Sequence, residues 1–184
     1  MLRVASVGIL LVASALSLVA QSSVSPEYQH KATFLSQFPN FIEWPERAFA
    51  AANSPFLICV YGNFPFGTSL AEATRAEIFH GRKIEVLWVR KMTEMHACQI
   101  LFVSRSEAAK YEQVLAAVAN TQTLTVGETS DFLHAGGAVC FLFEKEVLKF
   151  EINLAAANGA GLKMSSRLLS LARRVMNFPE GAKG

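Results

Sequence analysis

Several groupings of residues in this chain have the types and spacing that chemistry uses. His96 stands two residues before Cys98, so on an extended segment an imidazole and a thiol share one face. That pair is the beginning of a zinc site or of a thiol–imidazole nucleophile. His134 and Cys140 offer a looser version of the second. Lys163 with Ser165 and Ser166 has the elements of a serine–lysine pair, and Gly62, Gly67, Thr68 and Ser69 imitate a phosphate-binding loop.

Each grouping stops short of its chemistry. A structural zinc site closes with four ligands, and no second close His/Cys pair accompanies His96 and Cys98. Cys140 lies within Ala138, Val139, Phe141, Leu142 and Phe143, a setting for a buried, inert thiol that packs as a small hydrophobe. Ser165 is explained by helix capping. Thr68 occupies the place of the lysine that neutralises phosphate. The reading is a protein that is not an enzyme and that uses neither metal nor cofactor.

The chain has 184 residues, the size of one domain. Its first twenty, MLRVASVGILLVASALSLVA, carry a single charge, Arg3, ahead of an apolar run that ends in small residues. This is the form of a secretory signal peptide over residues 1–20, cleaved after Ala20, and the run is short for a membrane span. Its removal takes one positive charge from the formal +2, leaving a nearly neutral exported chain. Nucleic-acid binding requires clustered positive charge, which is missing. The three cysteines, Cys59, Cys98 and Cys140, imply one pair plus a leftover thiol, or an intermolecular bond, and composition does not choose among them.

The elements that would carry these residues follow from periodicity. Ser25-Pro26-Glu27 starts a helix with Tyr28, Ala32, Leu35 and Phe38 on one face, ended or kinked at Pro39. FIEWP, Phe41 to Pro45, is either a helix end plugged into the core by Trp44 or a recognition surface. Phe56 to Tyr61, Lys83 to Val89, Gln99 to Val103 and Thr123 to Val126 read as strands. Helices are expected from Ser69 and from a capping box at Ser104–Glu107. Ala138–Phe143 and Val147–Asn153 form a late hairpin about Glu144–Glu146. The chain closes on a helix capped by Ser165, with Leu168, Leu171, Ala172, Val175 and Met176 in one apolar stripe. The order predicts a single α/β layered domain over residues 26–178, its mixed, largely parallel sheet flanked by helices.

Phe150–Ala172, FEIN followed by AGLKMSSRLLSLA, resembles the C-terminal signature of the YfiR-like family of periplasmic regulators. The resemblance extends through Tyr28 with Lys31-Ala32, FIEWP, ICVYG with PFG, ACQILFVS, LTVGE and GGAVCFLFE, in order along the chain. It departs where Pro39 interrupts the first helix and where Cys140 has no evident partner for a second disulfide. The resemblance implies a periplasmic domain, of a kind often found as a homodimer, that binds and restrains an inner-membrane diguanylate cyclase. It further implies release by an outer-membrane or cell-wall-linked protein and a Cys59–Cys98 disulfide. On that basis Glu43, Trp44, Asn153, Lys163, Ser166 and Arg167 are the candidate partner contacts. A periplasmic small-ligand sensor, with its pocket in the βα loops, and an accessory to an outer-membrane receptor are the alternatives.

Overall fold

The computed structural model describes residues 24–177, so the leader expected over residues 1–20 and the end of the expected domain at Phe178 lie outside it. In chain order the elements are α1 (Pro26–Gln37), β1 (Ile42–Glu43), β2 (Phe56–Tyr61), α2 (Ser69–Thr74), β3 (Ile78–Phe79) and β4 (Arg82–Val89). Then come β5 (Ile100–Val103), α3 (Tyr111–Val118), β6 (Leu124–Gly127), α4 (Ser130–His134), β7 (Val139–Glu144) and β8 (Val147–Asn153). The chain finishes with α5 (Leu154–Gly159), β9 (Lys163–Met164), α6 (Ser166–Leu171) and β10 (Arg174–Met176).

One eight-stranded sheet runs β10-β8-β7-β6-β5-β2-β4-β3, and a small ribbon pairs β1 with β9. The contacts of β2 with β4 and β5, of β6 with β5 and β7, and of β10 with β8 are parallel. The β7–β8 hairpin and the β3–β4 pair are antiparallel. This is the mixed, largely parallel α/β sheet that the alternation of elements predicts.

The near-continuous apolar strands have a physical cause: both faces of the sheet are covered. Phe56, Ile58 and Val60 point into one core with Ile100, Phe102, Leu124, Val126, Val139 and Phe141, beneath α1, α2, α5 and α6. The intervening Cys59 and Tyr61 join Leu101, Val103, Tyr111, Val114 and Phe132 in the second core, beneath α3 and α4. In that core the structure joins Cys59 to Cys98, with Cα atoms 5.9 Å apart. Gly127 and Gly137 admit the Phe132 ring: a Cβ on either would come within 2.3 Å and 2.2 Å of ring carbons. Cys140 is buried, and its thiol donates to the Thr129 carbonyl at 3.1 Å.

The first helix ends where Pro39 is expected to end it, and later boundaries differ from the sequence expectations. α1 stops at Gln37, and Pro39 sits within a single tight turn, Phe38–Phe41. The expected capping box at Ser104 is only half made. The Ser104 hydroxyl accepts from the Ser106 amide, but Glu107 binds Lys110 instead of reaching back. The segment Arg105–Lys110 is accordingly a tight, kinked turn, and the regular helix begins at Tyr111. The closing helix is shorter than its stripe suggests. It ends at Leu171, because the Arg173 amide donates to the Phe150 carbonyl and Arg174–Met176 pair with Glu151–Asn153 as a strand. Of the expected stripe, Leu168 is buried (3% exposed), whereas Leu171 is 61% exposed and Val175 42% exposed.

That difference separates two substitutions that the sequence alone treats as equivalent. Leu168→Asp is expected to destabilise the domain by at least about 3 kcal/mol, because it forces a carboxylate into the core. Leu171→Asp is expected to stay within about 0.5 kcal/mol of the wild type in urea unfolding, since its side chain is already solvated. Reduction of the Cys59–Cys98 bond, which closes a loop with a sequence separation of 39, is expected to remove about 3–4 kcal/mol in the chain-entropy account. Unfolding curves with and without reductant measure it. Peptide mapping under non-reducing conditions is expected to recover the 59–98 pair and a free Cys140.

Candidate partner-binding surface

The residues FIEWP and KMSSR, far apart in sequence, form one unit in space. β1 and β9 pair antiparallel with Ile42 opposite Met164 and Glu43 opposite Lys163. The Ser165 amide extends the ribbon by donating to the Phe41 carbonyl at 2.9 Å. Ser165 then caps α6, its hydroxyl accepting from the Leu168 amide at 3.2 Å. Directly opposed residues of an antiparallel pair share a face, so Glu43 and Lys163 project together. Both are exposed, as are Ser166 and Arg167 one turn further on. The Arg167 guanidinium lies over the Phe41 ring, 5.6 Å from its centroid. A cleft of about 400 Å³ runs along the ribbon, walled by Phe41, Glu43, Ile78, His80, Lys163 and Met164.

Two of the sequence candidates do not belong to this surface. Trp44 is buried at 9% exposure, its ring edge-on to Phe56 and Phe79 with centroids 4.9 and 5.8 Å away. Its indole N–H donates to the Gln99 carbonyl at 3.3 Å. The indole therefore anchors the turn into the core and is not offered to a partner. Asn153 is 1% exposed, and its side-chain oxygen caps α5 by accepting from the Ala156 amide. Its alternation with Phe150 and Ile152 places it on the other face of β8, where it is committed to capping α5. Glu43, Lys163, Ser166 and Arg167 remain as the accessible set.

The groupings with chemical potential are committed elsewhere. Cys98 is bonded to Cys59, and the Ser165 hydroxyl is a helix cap. Burial, reinforced by the Glu151 carboxylate, pushes the Cys140 thiol up to about 12, so it holds its proton at neutral pH.

A second constellation was not singled out as a site by sequence reasoning. Lys31, on α1, is 1% exposed, and its ammonium contacts Glu27 one turn earlier and Glu128 at the end of β6. The Glu128 side chain is fully buried and collects every nearby donor. It accepts from Lys31 Nζ, from the Tyr28 hydroxyl at 3.1 Å, from the Arg105 amide at 2.7 Å and from the Arg105 guanidinium at 3.2 Å. Arg105 also bridges to Glu27. Burial alone would raise the Glu128 carboxyl pKa. The Lys31 charge and the hydrogen bonds from Arg105 and Lys31 outweigh it and hold the group below its ordinary value of 4.5. Desolvation and the adjacent Glu128 raise the Tyr28 hydroxyl above its usual range. The signals were a lysine on the apolar face of α1 and a glutamate directly after a buried strand, each ordinary when read alone.

This cluster lies at the carboxyl ends of β5 and β6, beside the point where the order of strands reverses between β2 and β5. Ligands of open α/β sheets occupy that crevice. Here Phe66 (0% exposed) fills the adjoining space, packed on Phe102 and Tyr28 with centroids 5.0 and 5.5 Å apart.

Comparison with known proteins gives a family and a fold. The model of the YfiR/HmsC-like family matches residues 28–173. Among solved structures, the chain is similar to an ABC domain from Streptococcus pneumonia in complex with L-Trp, with a TM-score of 0.52 and 12% identity. It is also similar to a conserved domain protein from Vibrio cholerae O1 biovar eltor, with a TM-score of 0.52 and 15% identity. In both cases 82% of this chain is aligned, and it spans 60% of the other. These identities speak to the fold alone. No curated protein matches the chain.

The Lys31–Glu128 pair has a measurable signature. Glu128→Gln leaves the buried Lys31 ammonium with Glu27 as its remaining carboxylate and is expected to cost at most about 3–5 kcal/mol near neutral pH. Because the folded carboxyl titrates below its unfolded value, its stabilisation is complete above about pH 4.5–5 and is lost as the pH falls through the folded value. Urea unfolding of wild type and variant across that range is expected to show the difference between them narrowing toward acid. A gap independent of pH would exclude the ionised pair as its source.

Proposed function

Because the chain belongs to the YfiR/HmsC-like family, whose members are periplasmic regulators of cyclic-di-GMP signalling, we propose that it binds the periplasmic portion of an inner-membrane diguanylate cyclase and restrains it. The observation that carries this reading is the family match over residues 28–173, almost the whole described domain. On this reading residues 1–20 direct export, and an outer-membrane or cell-wall-linked protein relieves the restraint. The binding residues are those of the ribbon and of the first turn of α6: Glu43, Lys163, Ser166 and Arg167. They combine a carboxylate, an ammonium, a hydroxyl and a guanidinium beside an apolar cleft, and they stand on hydrogen-bonded elements. Such preorganisation limits the entropy lost on association. No helix among the described residues is long and apolar enough to cross a membrane.

The family description favours regulation over catalysis. Cys98, Ser165 and Cys140 are all held in structural roles. The ligand-sensor alternative, which places a pocket in the βα loops, is disfavoured because Phe66 and the Lys31–Glu128 cluster fill that position.

Deleting the gene is expected to raise cellular cyclic-di-GMP, and the full-length protein to restore it. A version lacking residues 1–20 is expected not to restore it. Arg167→Ala and Lys163→Ala are each expected to weaken binding to the purified cyclase by about 1–2 kcal/mol at unchanged Tm. Trp44→Ala lowers Tm instead. Unchanged cyclic-di-GMP after deletion, with the cyclase expressed, overturns the reading.

A further inference from the structure

The six large hydrophobic side chains that remain exposed among the described residues divide between the two edges of the sheet. Ile78, Leu87 and Trp88 lie on β3 and β4, and Val147, Leu171 and Val175 lie on or beside β8 and β10. The first edge is partly closed by its own chain. Trp88 donates its indole N–H to the Gly62 carbonyl, and Arg90 covers its ring. The second edge is open in a specific way. β10 pairs with Glu151–Asn153 of β8, and the Arg173 amide just before it takes the Phe150 carbonyl, so the first part of that strand, Val147–Lys149, has a neighbour on the β7 side alone.

Backbone alternation gives the direction of the unpaired groups. The Asn153 amide donates toward β7, to the Ala138 carbonyl, while the Phe150 carbonyl accepts on the other side, from the Arg173 amide. Two residues earlier, the N–H and C=O of Leu148 also face outward, past the point where β10 begins. Beside them runs an apolar trench made of two contiguous grooves of about 230 and 360 Å³, which share Phe34, Phe150 and Leu171. Phe38 and Leu168 line its far end and Leu148 its near end. Lys149, Arg173 and Arg174 surround this edge and outnumber the acids they contact, Glu144 and Glu151.

We propose that an extended segment of the bound cyclase adds to the sheet at Val147–Lys149, pairing with the outward groups of Leu148 and lengthening the row that β10 begins, with an apolar side chain in the Phe34–Phe150–Leu171 trench and a carboxylate against Lys149 and Arg173. The inference rests on the cyclase-binding reading and names how part of that partner is recognised. Strand addition suits the observations because the edge supplies main-chain donors and acceptors, the trench supplies a side-chain pocket, and the rim supplies the charge. A helix lying in the trench would leave the Leu148 amide unpaired. The trench meets the ribbon surface at Phe41, the ring that Arg167 covers, so a single partner reaches both.

The test uses the exported full domain and detergent-solubilised membrane diguanylate cyclases of the source organism. Leu148→Ala removes the side chain, and Leu148→Pro also removes the outward N–H, a change that edge strands accommodate. The proline variant is expected to bind about ten-fold more weakly than the alanine variant, with matching Tm. Hydrogen exchange on the wild-type protein provides the second measurement, independent of whether the proline variant folds: the Leu148 amide is expected to exchange freely alone and to become protected in the complex. Binding with that amide still exchanging overturns strand addition and leaves the cyclase reading intact. Protection that rises with protein concentration in the absence of cyclase assigns the edge to a second copy of this chain and also overturns it. Failure of the wild-type protein to bind any of the cyclases overturns the functional reading and this proposal together.

Discussion

The contact between Lys31 and Glu128 is the constraint from which the placement of everything on the α1 face follows. An ammonium that is 1% exposed and a carboxylate that is fully buried hold each other at the end of the sheet. Losing either one leaves a buried charge that only the more exposed Glu27 or Arg105 can offset. The pair fixes the first half of α1, with Tyr28 and Arg105 completing the carboxylate's hydrogen bonds. With that end fixed, the second half lays Phe34 and Phe38 against Phe141 and Phe150. Pro39 then turns the chain into the ribbon that carries Glu43 and, across the pairing, Lys163. A buried charge at the strand ends thus determines where an exposed surface stands at the far end of α1.

The sheet itself is held by two cores that share its strands. Residues alternate between them along β2 and β5, so a one-residue slip in register would exchange both cores at once. The Cys59–Cys98 bond sits in the second core and ties the central strand β2 to the segment that enters β5. The same side of the sheet carries Phe132, which packs against the bare backbones of Gly127 and Gly137. Helix α1 and helices α3 and α4 are in this way anchored to opposite faces by different means, ion pair on one and disulfide with aromatic packing on the other.

What was legible in the sequence was whatever depends on neighbours along the chain. The β2 strand FLICVY, the β7–β8 hairpin, the proline that ends α1 and the Ser165 cap all follow from local pattern, and all stand where the pattern puts them. The positive φ of Lys145 and Glu146 at the hairpin tip fits a two-residue turn between twisted strands. What was not legible depends on pairing across the chain. The stripe Leu168–Leu171–Val175 has helical spacing, but the competing main-chain partner on β8 converts its second half into a strand. Glu107 has the spacing of a capping box, but the Ser104 amide it would accept from donates to the Tyr61 carbonyl on β2, and Glu107 binds Lys110 instead. Trp44 reads equally as anchor or hot spot until Phe56, Phe79 and Gln99 are brought around it. For the candidate site, the sequence marked the segments that meet, FIEWP and KMSSR, and left open whether Trp44 faces outward.

The closure of the strand-end crevice and the openness of the β8 edge are connected. An open α/β sheet has two places where its backbone and side chains are free to recognise something: the crevice at the carboxyl ends of its strands and the unpaired edges. Here the first is filled by Phe66 and by a carboxylate from the chain itself, with its hydrogen bonds satisfied internally. Recognition is left to the edges and to the ribbon beside one of them. A surface of that kind is long, shallow and partly main-chain, which suits a polypeptide better than a small molecule. The fold thereby accounts for how an architecture shared with a domain solved in complex with L-Trp occurs in a family of regulators.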